Sequence, residues 1–243
     1  MSRVADLTRF YSLLDSLELR IGGKRQLADF QKFRDWPRRG VYFFFEFSEY
    51  RTGSGHVPRV VRVGTHALGA GSRSTLGQRL RNHRGSSSGG GNHRGSIFRL
   101  LVGQALLAKG GLPTCRSWGD KSDAAKAAVA LGIVPQALKA GEAQVEQAVT
   151  RYIGAMPFLW LDVDDEPGPH SLRGIIERNA IALLSNCERP SCDPASGDWL
   201  GQYSNRSLVR TSGIWNQRHV TEVHDPAFVE IFEKLITGGA PSK

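Results

Sequence analysis

The chain has 243 residues, 40% of them hydrophobic, which is enough for one compact domain with elaborations. It carries 32 Lys and Arg against 23 Asp and Glu, a net charge of +9. Three cysteines, Cys115, Cys187 and Cys192, argue against a disulfide framework, and with no leader-like or membrane-length apolar run the expectation is a soluble, cytoplasmic protein with no membrane partner.

Taken in order, residues 4–20 read as a helix, with Val4, Leu7, Phe10, Tyr11, Leu14 and Leu17 at helical spacing. Gly22-Gly23 and Trp36-Pro37 then bracket a short segment. Val41 to Phe47 alternates with period two, so Val41, Phe43, Phe45 and Phe47 are expected in the core, with Tyr42, Phe44 and Glu46 on a polar face. A turn over 51–58, carrying Gly53 and Gly55, leads to a returning strand, Val60 to Gly64. In that strand Val61 and Val63 are expected on one side and Arg62 on the other. Leu76 to His83 reads as a short helix capped by Ser74 or Thr75. On it Arg79 and His83, four apart, share a face. A flexible, basic Gly/Ser/Asn/His/Arg loop spans 84–95, and residues 96–109 are helical again. A helical insertion covers about 110–155. Phe158 to Val163 is a third strand, and a helix from Ser171 to about Asn186 places Glu177 beside its apolar stripe. Beyond Cys187 the chain is irregular, with Trp199 and Trp215 read as anchors, until a last helix at about 226–236.

Charge is segregated. Residues 50–119 hold no carboxylate, yet contain ten arginines and Lys109, as well as His56, His66, His83 and His93. The excess favours a polyanionic partner, nucleic acid, through counterion release. Arg73, Arg81, Arg84 and Arg94 are candidate contacts to it, and glycine amides of the 84–95 loop can approach phosphates closely.

Phosphodiester hydrolysis requires a group that takes a proton from water, cations around the phosphate, and stabilisation of the leaving oxygen. Tyr42, the basic segment and Glu177 are the parts on offer. Gly40-Val41-Tyr42 and, about twenty residues on, Arg62-Val63-Gly64, followed by a helix with Arg79 and His83, a strand, and a helix with Glu177, resemble the GIY-YIG endonuclease superfamily over roughly residues 38–187. That resemblance implies an α+β fold with a three-stranded antiparallel sheet flanked by helices, and hydrolysis of nucleic acid, DNA foremost, with one Mg2+ or Mn2+. It makes Tyr42 the general base or water-orienting group, Arg79 the phosphate stabiliser, His83 a proton shuttle or phosphate holder, and Glu177 the metal ligand. Arg62 stands where the family's second motif begins with tyrosine, and an arginine does not readily accept a proton. His66 is the auxiliary candidate for that role. Asn186, ahead of Asn205 and Asn216, is the candidate for the asparagine that usually follows the glutamate. Glu46 is either a second acid or a partner for Arg62, and Glu177 has Arg173 as its structural alternative. The expected division is 1–37 as an N-terminal helical extension, 38–188 as the core with its insertion, and 189–243 as a C-terminal extension. The competing reading is a catalytically impaired nucleic-acid-binding module on the same fold.

Overall fold

The computed structural model describes residues 2–32, 35–120 and 122–238. A helix α1 (Arg3–Ile21) leads to a two-residue strand β1 (Arg25–Gln26) and a 3-10 turn (Leu27–Lys32). The hairpin β2 (Gly40–Tyr50) and β3 (Pro58–Gly64) is followed by α2 (Leu76–Arg84), α3 (Ile97–Lys109), α4 (Ala124–Ala130) and α5 (Pro135–Ala155). Then come β4 (Pro157–Asp162), α6 (Leu172–Leu184), α7 (Ser207–Ser212) and α8 (Ala227–Thr237). The sheet is antiparallel with strand order β1-β4-β2-β3, so it has four strands where three were expected. The added strand is two residues long and pairs only Arg25 and Gln26 with the start of β4, too short to leave a periodicity in the sequence.

Both faces of the sheet are packed. Val41, Phe43, Phe45, Leu159 and Leu161 face a core built with α1, α6 and α8. Tyr42, Phe44 and Phe158 face a second core with α3, α5 and the two tryptophans Trp199 and Trp215. The expected polar face therefore does not exist. Tyr42 and Phe44 are fully buried and Phe47 is exposed, because β2 is a near-continuous apolar run of the kind that sits between two layers. Tyr42 pairs with Gly64, Phe44 with Arg62 and Phe45 with Val60, so Val61 is an extra residue, a β-bulge. The bulge separates Val61 from Val63: Val61 joins the second core, on the Tyr42 side, while Val63 and Val60 join the first.

The segments expected as extensions take part in both cores. Phe10, Leu14 and Leu17 of α1 pack with Phe228 and Phe232 of α8 against β2, and Trp199 and Trp215 lie in the second core. Residues 239–243 of the expected C-terminal extension lie outside the described residues. Glu46 does not meet Arg62. Its carboxylate is buried and receives Tyr152 O–H, Trp199 Nε1–H at 3.0 Å and Trp215 Nε1–H at 3.4 Å, which ties the C-terminal segment to β2. Burial raises this carboxyl above its ordinary value, against the pull of those three donors. All three cysteines are free. No helix among the described residues is long and apolar enough to cross a membrane.

Candidate active site

A cavity of about 690 Å³ opens where the ends of β3, α2, α3 and α6 meet the 215–219 segment. Arg62, His66, Arg79, Glu177, Asn216 and His219 are among its lining residues. Residues that are distant in sequence thus share one concave site.

Tyr42 stands one layer behind this wall. It is fully buried, and its ring lies across Gly64: a Cβ at residue 64 would come within 2.3 Å of the phenol oxygen. Glycine at the end of the second motif is therefore a steric requirement of the tyrosine in the first. Gly40 plays a similar part, since a Cβ there would lie 2.4 Å from the Leu161 carbonyl of β4. The phenol is 2.8 Å from His83 Nε2, and His83 Nδ1 is 2.8 Å from Ser96 Oγ. Ser96 is the N-cap of α3, where its oxygen accepts from Arg99 N–H. Burial, then the positive fields of Arg79, Arg62 and Arg99, push His83 well below the ordinary imidazole value, so it is neutral. A neutral ring whose Nδ1–H donates to Ser96 Oγ leaves Nε2 to accept the Tyr42 proton.

The phenol also faces both cavity guanidiniums. Tyr42 raises Arg79 above its ordinary value against the opposing effect of burial, with Glu177 adding to the rise. Burial lowers Arg62, opposed by Tyr42 and Glu177. Arg62 is held by the Trp215 carbonyl and by the Phe98 ring, whose centroid is 4.7 Å from the guanidinium carbon. A capping box, Thr75 with Gln78, starts α2 and fixes the turn that presents Arg79.

Glu177 projects from α6, whose N-cap is Ser171. One carboxylate oxygen accepts from Thr65 N–H at 3.1 Å, directly after the second motif. Arg173 is not its partner: that guanidinium pairs with Asp165 and with the His66 carbonyl. Among the described residues Glu177 has no cation within salt-bridge distance, and burial raises its carboxyl above the ordinary value. The Thr65 N–H, Arg62, His219 and Arg79 oppose that rise.

His66 lines the cavity with Nε2 3.4 Å from the Arg38 carbonyl. Burial, then Arg173, Arg79 and Arg39, lower it to about 4, so it too is neutral. Three buried polar atoms without a partner, Arg62 Nε, His66 Nδ1 and Arg79 Nε, belong to residues that line this one cavity.

Asn186 is elsewhere. Its amide donates to the Asp193 carbonyl at 2.9 Å and accepts from Cys192 N–H at 3.2 Å, stitching the irregular C-terminal segment. The asparagine in the cavity wall is Asn216, which accepts from Val63 N–H and donates to Val63 O, while Trp215 N–H bonds to Val61 O. Residues 215–216 thus run along the free edge of β3. Sequence reading ranked Asn216 behind Asn186 because nothing in the chain marks it as an edge segment. It gave His219, a histidine of the C-terminal segment, no place in the site. His219 has a left-handed backbone (φ 64°), lines the cavity, and its Nδ1 is 2.8 Å from Glu222 Oε1. A non-glycine in that conformation near a cavity is a structural signal that no spacing rule supplies.

Of the expected nucleic-acid contacts, Arg73 and Arg81 are exposed and Arg84 is half-buried. Arg94 is not free: it forms a two-pronged pair with Glu142 of α5, both bonds 2.8 Å. The 84–95 loop is anchored as well, since His93 is buried and bonded to Glu146.

The sheet, the two motif glycines fitted around a buried tyrosine, and the carboxylate on the helix after the last strand define an α+β domain of the GIY-YIG class. The match to the family model, a GIY-YIG domain, covers residues 1–241, and the chain belongs to this family. Comparison with curated proteins and with solved structures gives no match.

Proposed function

We propose that this protein is a nuclease that hydrolyses phosphodiester bonds of nucleic acid, DNA foremost, with one Mg2+ or Mn2+ at Glu177. The observation that supports this most is the cavity itself: two guanidiniums with unsatisfied Nε–H groups share it with a carboxylate that has no salt-bridge partner among the described residues.

The donor set fits a single hard cation. Magnesium keeps several waters and takes one or two carboxylates together with substrate phosphate, and Glu177 has one oxygen on Thr65 N–H and the other without a donor among the described residues. Among the described residues no group of three or more His, Cys, Asp or Glu converges, which leaves Glu177 as the anchor and the remaining positions to water and substrate. When bound, the ion supplies charge neutralisation at the phosphate oxygens.

The chain's own residues carry the rest. Arg62 and Arg79 hold the phosphate and stabilise the charge that grows on its oxygens as the attacking water's oxygen bonds to phosphorus. The water's proton passes between the guanidiniums to the Tyr42 oxygen, as the phenol gives its own to His83 Nε2. Three arginines oppose a positive charge on His83, so the imidazole gives the proton back to the Tyr42 oxygen and the phenol passes its own to the leaving oxygen as the phosphorus–oxygen bond breaks. In this scheme Arg62 replaces the second motif tyrosine as a phosphate ligand, not as a base.

Plasmid nicking in Mg2+ and in Mn2+ tests the reading. Glu177→Ala is expected to lose activity by about a hundredfold or more, on the scale of a removed electrostatic stabiliser. Equal nicking by both proteins would remove Glu177 from the site. DNA binding by the wild type without cleavage in either metal would favour a binding module instead, the outcome to which Arg62 in the second motif draws attention.

A further inference from the structure

The cavity continues. Its wall shares His66, Ala67 and Arg79 with a second depression that adds Gln78 and Asn82 of α2. Asn82 and Arg81 line a third with glycines of the 85–95 loop, and Arg81, Gly85 and Ser86 lead into a fourth that reaches Phe30, Trp36 and Arg84. Among the described residues, Glu177 is the only one with a carboxylate in the linings of these four depressions. A groove that stays free of acid along the whole exposed face of a helix is fitted to a polyanion.

Its far end is built, not loose. Arg81 and Arg84 both lie over the ring of Phe30, each guanidinium carbon 5.8 Å from the centroid. Phe30 is buried and stacked on Trp36, with ring centroids 4.9 Å apart and an interplanar angle of 15°. Among the described residues neither arginine has a carboxylate within salt-bridge distance; the nearest pairs recruit Arg94 and Arg99 to α5 instead. Two guanidiniums held near one ring without a carboxylate partner are a ready site for an anion. Trp36 packs against Phe30 and also stacks on Phe158, so this end offers cations and not an open aromatic face for a base.

We infer that the face of α2 is a phosphate track for a DNA strand, running from the cleavage cavity to an Arg81–Arg84 clamp that holds the backbone on one side of the cut. The inference rests on the nuclease reading of the cavity. The nine residues of α2 span about 13 Å, or about four nucleotide steps along a B-form strand. Contacts of this kind fix register and carry no sequence information.

The test is fluorescence anisotropy of a labelled DNA duplex over a salt series in EDTA, where no hydrolysis takes place. The Arg81→Ala/Arg84→Ala protein is compared with the wild type and with Lys139→Ala/Lys234→Ala, which removes equal charge from exposed sites elsewhere. Two lost phosphate contacts are expected to lower the slope of log K against log salt by about 1.8 and to weaken binding by about tenfold or more. Arg81→Lys/Arg84→Lys keeps both charges and is expected to keep most of the slope. Losses no larger than those of the lysine control overturn the track, and a loss seen only on an RNA duplex overturns its assignment to DNA. Because the readout is binding in EDTA, the track can fail while Glu177-dependent nicking stands, and the reverse.

Discussion

The arginines of residues 50–119 fall into two groups that the sequence does not separate. Arg51, Arg59, Arg94 and Arg99 pair with Asp15, Glu49, Glu142 and Glu146, carboxylates drawn from outside the stretch. Arg62, Arg73, Arg79, Arg81, Arg84 and Arg116 have no carboxylate within 4 Å among the described residues. A guanidinium buried away from any cavity needs a counter-charge and hydrogen-bond acceptors, and the fold brings acids to Arg51, Arg59, Arg94 and Arg99 from α1, β2 and α5. Those left without one line the cavity and the groove beyond it, or stand in solvent. Charge segregation along a chain is therefore a poor measure of charge on its surface: part of the apparent footprint is internal structure.

The largest expected effect lies in the paired group. Arg99 is fully buried and bonds Glu146, Thr150 and the carbonyls of His83, Arg84 and Glu146. Arg99→Met takes the cation from Glu146, whose second oxygen keeps only its His93 bonds, and should cost about 3–5 kcal/mol in urea unfolding. A cost under about 1 kcal/mol would dissolve the distinction, because it would mean that the buried pair does no more than a surface one.

Arg79→Ala is the matching test of the bare group. Nicking should fall by about 10²–10³, while unfolding free energy moves by about 1 kcal/mol or less, since no ion pair is lost. A protein crippled in stability but not in turnover would place Arg79 with the structural arginines.

The fold was readable where side chains repeat. The helix at 4–20, the β2–β3 hairpin, the strand before α6 and the terminal helix all lie within a few residues of where the sequence pattern puts them, although the hairpin's side chains do not sort into one apolar and one polar face. The Tyr42–Gly64 pair was readable as two short motifs, though not as a steric fit. What could not be read depends on distant partners. Val61 and Arg62 share a side because of a bulge that no alternation rule anticipates. Arg94 belongs to Glu142 and Glu46 to three aromatic donors, all far along the chain. Asn216 and His219 reach the cavity only because an irregular segment lies along the edge of β3. Local spacing carries no information about where such a segment will dock.

The smallest expected effect is also the most direct view of the cavity's field. His66 sits among Arg173, Arg79 and Arg39, and burial together with those charges lowers it to about 4. In the unfolded chain the ring takes up a proton near 6.5. Between those values the unfolded state binds the proton and the folded state does not. This group therefore subtracts stability as pH falls from about 6.5 to about 4, and has no effect above that window. A proton NMR titration of the imidazole is expected to show no protonation of His66 through the range in which an ordinary histidine titrates. Of the three arginines, Arg173 and Arg39 already pair with Asp165 and Glu166, whereas Arg79 has no carboxylate within salt-bridge distance among the described residues. Arg79→Gln should accordingly move the His66 midpoint up toward 6.5, and the stability loss below pH 6.5 should become shallower. An unmoved midpoint would mean that burial alone keeps this ring neutral, and that Arg79, for all its lack of a partner, does not charge the cavity.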